Sequence, residues 1–262
     1  MTTTEDTGRL RAPISPAGIM AGVSRKIARH VPFRPHVLAL DAPVVAFTFD
    51  DFPVSAYENG ASVLDDNGMR GTFYAATGLA GTRENGQLIA GPDMIAALSR
   101  RGHEIGGHTH GHINVQTTPR RDLAEDVRRN DAEIAELAGQ SRPLSFAYPF
   151  GTVSVPAKLF LMQRYAGLRG IKIGTNRGLV DLAHLSAQEL YDSSHDGASI
   201  RAMLDDLERR PGWLIFYTHD VRPDPTNIGC SPAFFSAVVA EVRRRNIRVE
   251  TVIETLKRIG VA

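Results

Sequence analysis

The residues best suited to chemistry lie in one short run, His103 to His112, HEIGGHTHGH. His108 and His112 stand four apart behind Gly106 and Gly107, so the backbone can turn sharply and bring both imidazoles to one side of a loop or single helical turn. That is metal-ligand spacing. An HxxxH pair also arises by chance on polar loops, and His110 has the character of a solvated side chain. The pair gains weight from a feature far away in sequence. Asp50 and Asp51 close an apolar run, Val44-Val45-Ala46-Phe47-Thr48-Phe49, that reads as a buried strand, and two acids ending such a strand need a cation or a reaction to justify them. One carboxylate and two imidazoles make a facial set of three ligands that leaves room for water and substrate, with zinc as the default metal. Bound water would ionise near pH ~7. The second carboxylate of the pair is then free to take its proton, and His219, arriving from another apolar run, can protonate a leaving amine. Such a kit hydrolyses an amide or ester. The duller rivals are that either aspartate caps a segment or pairs with an arginine, and that His219 and His103 are hydrogen-bonded core histidines, His103 lying at the start of its strand.

Positioning these groups requires a regular scaffold. Seven β-prone runs, near 44–49, 71–76, 103–107, 144–147, 170–174, 213–218 and 247–252, alternate with helical ones near 57–67, 92–101, 119–138, 156–166, 198–210, 232–245 and 252–259. Alternation of this kind means parallel strands. Thr118 before Pro119 and Ser231 before Pro232 each read as a capping hydroxyl before a first-turn proline. In the long helix Leu123, Val127, Ile134 and Leu137 form one face, and its charged residues an outer, solvated one. Seven β-α units suggest a barrel, whose active site gathers at the C-terminal ends of the strands. The polar residues that stand out fall there: Asp50 and Asp51, His108 and His112, Tyr148 to Gly151, Asn176 and Arg177, then His219 and Asp220.

The chain of 262 residues is ample for one large core, with 42% apolar and 23% charged residues. A formal charge of +1 gives no electrostatic reason to expect nucleic acid. Cys230 is the single cysteine, which excludes an intramolecular disulfide and a zinc-thiolate site. No apolar run is long enough to span a bilayer, and the N-terminus lacks the pattern of a secretory signal, so the expectation is a soluble, cytoplasmic protein. Residues 1–36 read as an extension, with a disordered leader to about residue 13, and 37–262 as the catalytic domain. Within the extension Ile19, Met20, Val23 and Ile27 recur at helical spacing beside Arg25, Lys26 and Arg29. Such a helix is expected to pack its apolar face across one end of the domain, with weak membrane association as the alternative.

TFDD (48–51), GHEIGGHTHGH (102–112), FAYPFG (146–151) and FYTHD (216–220), in that order over nearly all of 44–252, resemble the polysaccharide deacetylase family, carbohydrate esterases with a NodB-like domain. The resemblance implies a distorted (β/α)7 barrel of the α/β class and a divalent metal, commonly zinc, with cobalt, nickel or manganese as alternatives. It implies Asp51, His108 and His112 as metal ligands, Asp50 as general base, His219 as general acid, the backbone N–H of Phe150 as a donor to the oxyanion, and Thr109 as a brace for the histidine loop. Tyr148 and Phe52 join Phe150 as expected substrate contacts. Three departures mark the chain. Phe52 replaces the usual glycine after the aspartate pair and would place a ring at the mouth of the site. Ala147 stands where the family commonly has an arginine that steadies the base. The D-x-x-D-W motif that orients the catalytic histidine is not recognisable, and Asp192, Asp196 or Asp220 could stand in. The leading expectation is a de-N-acetylase acting on an acylated amino sugar. Its rivals are a hydrolase of a formamido sugar or cyclic amide, and a carbohydrate-binding pseudoenzyme. The substrate expected for a cytoplasmic enzyme is an intracellular soluble or lipid-linked sugar, and the oligomeric state is left open.

Overall fold

The computed structural model describes residues 16–84 and 86–262, so the expected leader lies outside the described residues. Parallel strands form around Val44–Phe49 (β1), Thr72–Ala75 (β2), Glu104–Gly107 (β3), Ser145–Ala147 (β4), Gly167–Arg169 (β5), Gln188–Glu189 (β6), Trp213–Thr218 (β7) and Arg248–Val249 (β8). Their order is β6-β7-β1-β2-β3-β4-β5, with β8 pairing beside the start of β1. The sheet curls into a half-barrel whose seam is bridged where Leu185, just ahead of β6, exchanges backbone hydrogen bonds with Leu168 and Gly170 around β5. β1 and β7 are buried along their whole length, as strands covered on both faces must be.

Alternation along the strands decides what the barrel lumen contains. On β1, Val45, Phe47 and Phe49 point outward into a core shared with the helices, while Val44 and Ala46 join Trp213, Ile215 and Tyr217 of β7 in the inner cluster. Carrying this period of two forward puts Asp50 and His219 on the lumen side of their strand ends. On β3 the same face carries Glu104, Gly106 and His108. Gly106 has no alternative there, because a Cβ would lie 2.6 Å from the Tyr74 ring.

The helices are Pro16–His30 (α1), Ser62–Asp66 (α2, continuing a π turn over Ala56–Ala61), Pro92–Arg100 (α3), Arg120–Ala138 (α4), Val155–Leu161 (α5), Gly197–Arg209 (α6), Pro232–Arg244 (α7) and Val252–Arg258 (α8). Ser231 caps α7 through the Phe234 N–H as expected. At α4, however, Pro119 itself is the N-cap with ψ 145°, and the Thr118 hydroxyl donates to the Asn114 carbonyl instead.

Four further expectations change. The fifth strand is 167–169, and 170–174 is a loop whose Ile173 is exposed. The last strand stops at Val249 because Thr251 caps α8. Asn176 pairs with Trp213 at the beginning of β7 and Arg177 with Asp206, which places both at the end of the barrel opposite the histidines. Finally, α1 leaves Met20, Val23 and Ile27 exposed rather than buried. It docks by its small side: Ala28 is buried, Ser24 Oγ accepts the Val155 N–H (3.0 Å), and the buried Lys158 Nζ donates to the carbonyls of Ala28 (2.6 Å) and Val31 (3.1 Å) while pairing with Asp181 (2.5 Å). A lysine on the last carbonyls of a helix satisfies groups that have no intrahelical partner.

Candidate active site

Asp51, His108 and His112 present ligand atoms that all lie within 4.8 Å of one another. Asp51 Oδ1 is 3.3 Å from His108 Nε2 and 3.1 Å from His112 Nε2. The His108 Nδ1–H donates to the Ala147 carbonyl (2.8 Å), which leaves Nε2 as the atom turned to the carboxylate. Asp51 Oδ1 is buried without a hydrogen-bond donor among the described residues. Lone pairs facing one another in a buried place fit a cation, and a set of one oxygen and two nitrogens suits zinc. Burial would raise the Asp51 carboxyl, but the imidazoles of His108, His112 and His219 crowded around it outweigh that and hold the group well below the usual carboxylate range. Burial and the neighbouring His108 push His112 down to about 4, so its imidazole is neutral and able to ligate at pH 7.

The backbone beneath these groups is unusual. Six non-glycine residues among those described have a left-handed φ, and five of them are Asp51, Phe52, Thr109, His112 and Phe150. Such conformations cost about 1–3 kcal/mol each and persist where the surroundings over-determine them, typically at functional sites. Thr109 supplies part of that support, its hydroxyl accepting the Ile113 N–H at 3.0 Å. His110 stays outside the cluster, its ring against Glu133 and its N–H on Asp126. His103 is the hydrogen-bonded core histidine at the other end of β3, held by Asp65 and the Gly71 N–H.

Asp50, beside the candidate ligand Asp51, has a partner the sequence did not reveal. The fully buried Arg169 guanidinium donates to Asp50 Oδ1 and sits between the rings of Tyr74 (5.2 Å) and Tyr217 (5.0 Å). Arg169 is the register partner of Ala147 on the adjacent strand. The head group absent from position 147 is therefore supplied from one strand over, at the same depth in the lumen. Burial opposes its charge, but Asp50 and the tyrosines outweigh that and raise the guanidinium pKa.

His219 Nε2 lies 4.0 Å from Asp51 Oδ2, and its Nδ1 is 3.1 Å from the Ile228 carbonyl. A carbonyl can only accept, so Nδ1 carries the proton and Nε2 is turned to the cleft. None of the three candidate aspartates contacts the ring: Asp192 takes the Ser231 N–H, Asp196 caps α6, and the buried Asp220 holds Thr226 and so shapes the loop that carries Ile228. Phe150 is exposed over His112, with ring centroids 4.4 Å apart. Two expected substrate contacts are not in the cleft. The Phe52 ring is buried against Phe73, 5.0 Å between centroids, and Tyr148 is buried with its hydroxyl on the Ala183 carbonyl. The cleft itself is about 340 Å³, with the two aspartates and three histidines on its floor and Phe150, Ile171, Tyr191, Tyr217 and Ile228 around it.

Residues 39–171, just over half of the chain, match the family model described as polysaccharide deacetylase. The chain belongs to the polysaccharide deacetylase family. It is 24% identical over 215 residues to a chitin deacetylase of Arthroderma benhamiae, covering 81% of this chain and 51% of that protein. The chain thus spans about half the length of the curated relatives it matches. Its fold is that of a family 4 carbohydrate esterase from Bacillus anthracis (TM-score 0.57, 16% identity, 99% of this chain and 100% of that one). A peptidoglycan deacetylase from Bacillus subtilis shares it too (TM-score 0.53, 15% identity, 85% and 93%).

Proposed function

We propose that the chain is a metal-dependent hydrolase that removes an N-acyl group, in the first instance acetyl, from an amino sugar. The observation that carries this reading is the meeting of a three-ligand cluster, an arginine-held carboxylate and a cleft-facing imidazole in one small cavity. Asp51, His108 and His112 would hold one divalent metal, zinc being the best fit to the donor set. Bound there, it supplies a water that ionises near pH ~7 and a Lewis acid for the acyl oxygen. Asp50 accepts the proton the water gives up, and Arg169 keeps that carboxylate aimed. With Nδ1–H held on the Ile228 carbonyl, His219 would act as an imidazolium that passes its second proton, on Nε2, to the leaving nitrogen, while Asp50 would return the proton it took to solvent. The Phe150 backbone N–H, in its left-handed turn, is the donor for the acyl oxygen.

A cleft of about 340 Å³ lies at the small end of ligand pockets, roughly 300–1,000 Å³. Together with relatives named for chitin and peptidoglycan amino sugars, this favours a single acylated sugar or chain end. The test is a panel of N-acetylated and N-formylated amino sugars and short chito-oligosaccharides, assayed for acetate and formate with the metal-loaded protein. Release abolished by Asp50→Asn supports the reading. Saccharide binding with no release from any member would make the chain a binding protein instead.

A further inference from the structure

Eleven large apolar side chains are exposed among the described residues, and seven of them belong to three elements that meet around one cavity. Met20, Val23 and Ile27 run along α1, with Val31 just beyond its end. Val37 and Leu179 face one another across an antiparallel ribbon, Pro35–Leu38 with Gly178–Asp181, and Ile173 lies in the loop after β5. Their exposures range from 40% to 73%. None is needed to hold α1, which is fixed by Ser24, Ala28 and the Lys158 clamp.

The charges left without an ion-pair partner around this surface, among the described residues, have one sign. Arg25, Lys26, Arg29 and Lys172 form no ion pair with a carboxylate among the described residues, the ion pairs of this region being Lys158 with Asp181 and Arg177 with Asp206. The cavity, about 330 Å³, is lined by Arg29, His30, Lys172, Arg177 and His184. Its one carboxylate, Asp181, is already taken by Lys158 and by the N–H groups of Arg34 and Ala183. His184, only 6% exposed, opens onto the cavity with no partner for either ring nitrogen. Its ring is seated on Gly170, where a Cβ would lie 2.4 Å from Nε2. A neutral imidazole offers one donor and one acceptor, a match for a phosphate oxygen and an adjoining hydroxyl.

We propose that this face lies on an anionic phospholipid surface, with the apolar edge of α1 in the interface and one headgroup phosphate seated in the cavity between Arg29 and Lys172. An amphipathic helix with a basic flank binds such surfaces by apolar burial plus attraction to anionic lipid. A second copy of the chain fits less well, because a twofold contact over this face would set its unpaired cations against themselves.

The test is sedimentation of the full chain with vesicles of phosphatidylcholine alone and with added phosphatidylglycerol. Binding is expected only with the anionic lipid and should fall as salt rises. Ile27→Asp, at an exposed position, should abolish it, and Lys172→Ala should weaken it about fivefold, the worth of one cation at such a surface. Thermal midpoints and metal content unchanged from the wild type show that the variants fold. Equal sedimentation with and without phosphatidylglycerol overturns the proposal. So does undiminished vesicle binding by Ile27→Asp with inorganic phosphate competing it away, which would make the cavity a site for free phosphate. A wild-type dimer split by Ile27→Asp, or vesicle binding that appears only after deletion of residues 1–15, overturns it as well. No turnover is required, so this result and that of the hydrolase assay stand apart.

Discussion

Two clusters of similar composition sit at opposite ends of β3. At its beginning, His103 meets Asp65, and that carboxylate also takes Arg70 at 3.1 Å and the Arg101 guanidinium, while the Gly71 N–H satisfies the other ring nitrogen. At its end, His108 and His112 meet Asp51, which among the described residues has no guanidinium and one oxygen lacking a donor. The difference is whether the cluster contains its own cation. A histidine-carboxylate group closed by arginine is finished as structure, whereas one left open is shaped for something that arrives. Asp50, held by Arg169 beside the open Asp51, joins the two clusters' features on consecutive residues, its arginine orienting a carboxylate that faces the open site.

The comparison is broken most directly by removing one histidine from each cluster. His108→Ala should lose most of the roughly one divalent metal expected per chain, and with it activity. His103→Ala should keep the metal and lose about 1–3 kcal/mol of stability from the partners it strands. Metal analysis beside urea unfolding reads both, and full occupancy in His108→Ala would end the metal assignment.

Within the open site, Asp50→Asn should retain metal and lose roughly 10²- to 10⁴-fold in kcat, the range for general base catalysis. A wild-type rate would mean that the base is elsewhere.

Arg169→Ala should cost about 10- to 100-fold, as loss of a supporting partner does. It should also destabilise the fold by about 3–5 kcal/mol, because Asp50 is left buried and unpaired. Restoring the head group from the next strand, Ala147→Arg in the Arg169→Ala background, should recover much of both losses. No recovery in kcat would show that the strand of origin matters as well as the charge.

The gentlest test is pH. Burial, the largest influence on each, pushes His103 and His184 down to about 4 from the ordinary 6.5. Between those values the unfolded chain binds more protons than the native one, so stability is complete above pH about 6.5 and is lost as pH falls toward about 4. Denaturation midpoints at about pH 7 and about pH 5 should therefore separate, and by less in His184→Phe. Identical slopes in the two proteins would remove His184 from the account.

Much of this was legible in the chain itself. Apolar runs placed β1 and β7, the alternation of strands and helices gave parallel strands, and Asp51, His108 and His112 lie together at the strand ends. What escaped has physical reasons. Ile171-Lys172-Ile173 looks more strand-like than Gly167-Leu168-Arg169, so the fifth strand slipped by a few residues and Arg169 fell outside it. Strand parity would send the Phe52 side chain into the lumen, but left-handed φ angles of 58° at both Asp51 and Phe52 break the alternation and turn the ring to Phe73. The acceptor that fixes His219 is a main-chain carbonyl, and a carbonyl leaves no mark on residue identity.

The pairing of Ala147 with Arg169 bears on how such a site descends through generations. In a parallel sheet, side chains at matched register leave neighbouring strands in the same direction and at the same height. A guanidinium can then pass sideways from one strand to the next without moving in space, and a pattern written along the chain loses a letter while the pocket loses nothing. Around Asp50 the lumen holds one such group, seated between Tyr74 and Tyr217. Among kindred sequences, arginine at one of these two positions should accompany a small residue at the other, so that ancestry is better traced across the sheet than along the strand.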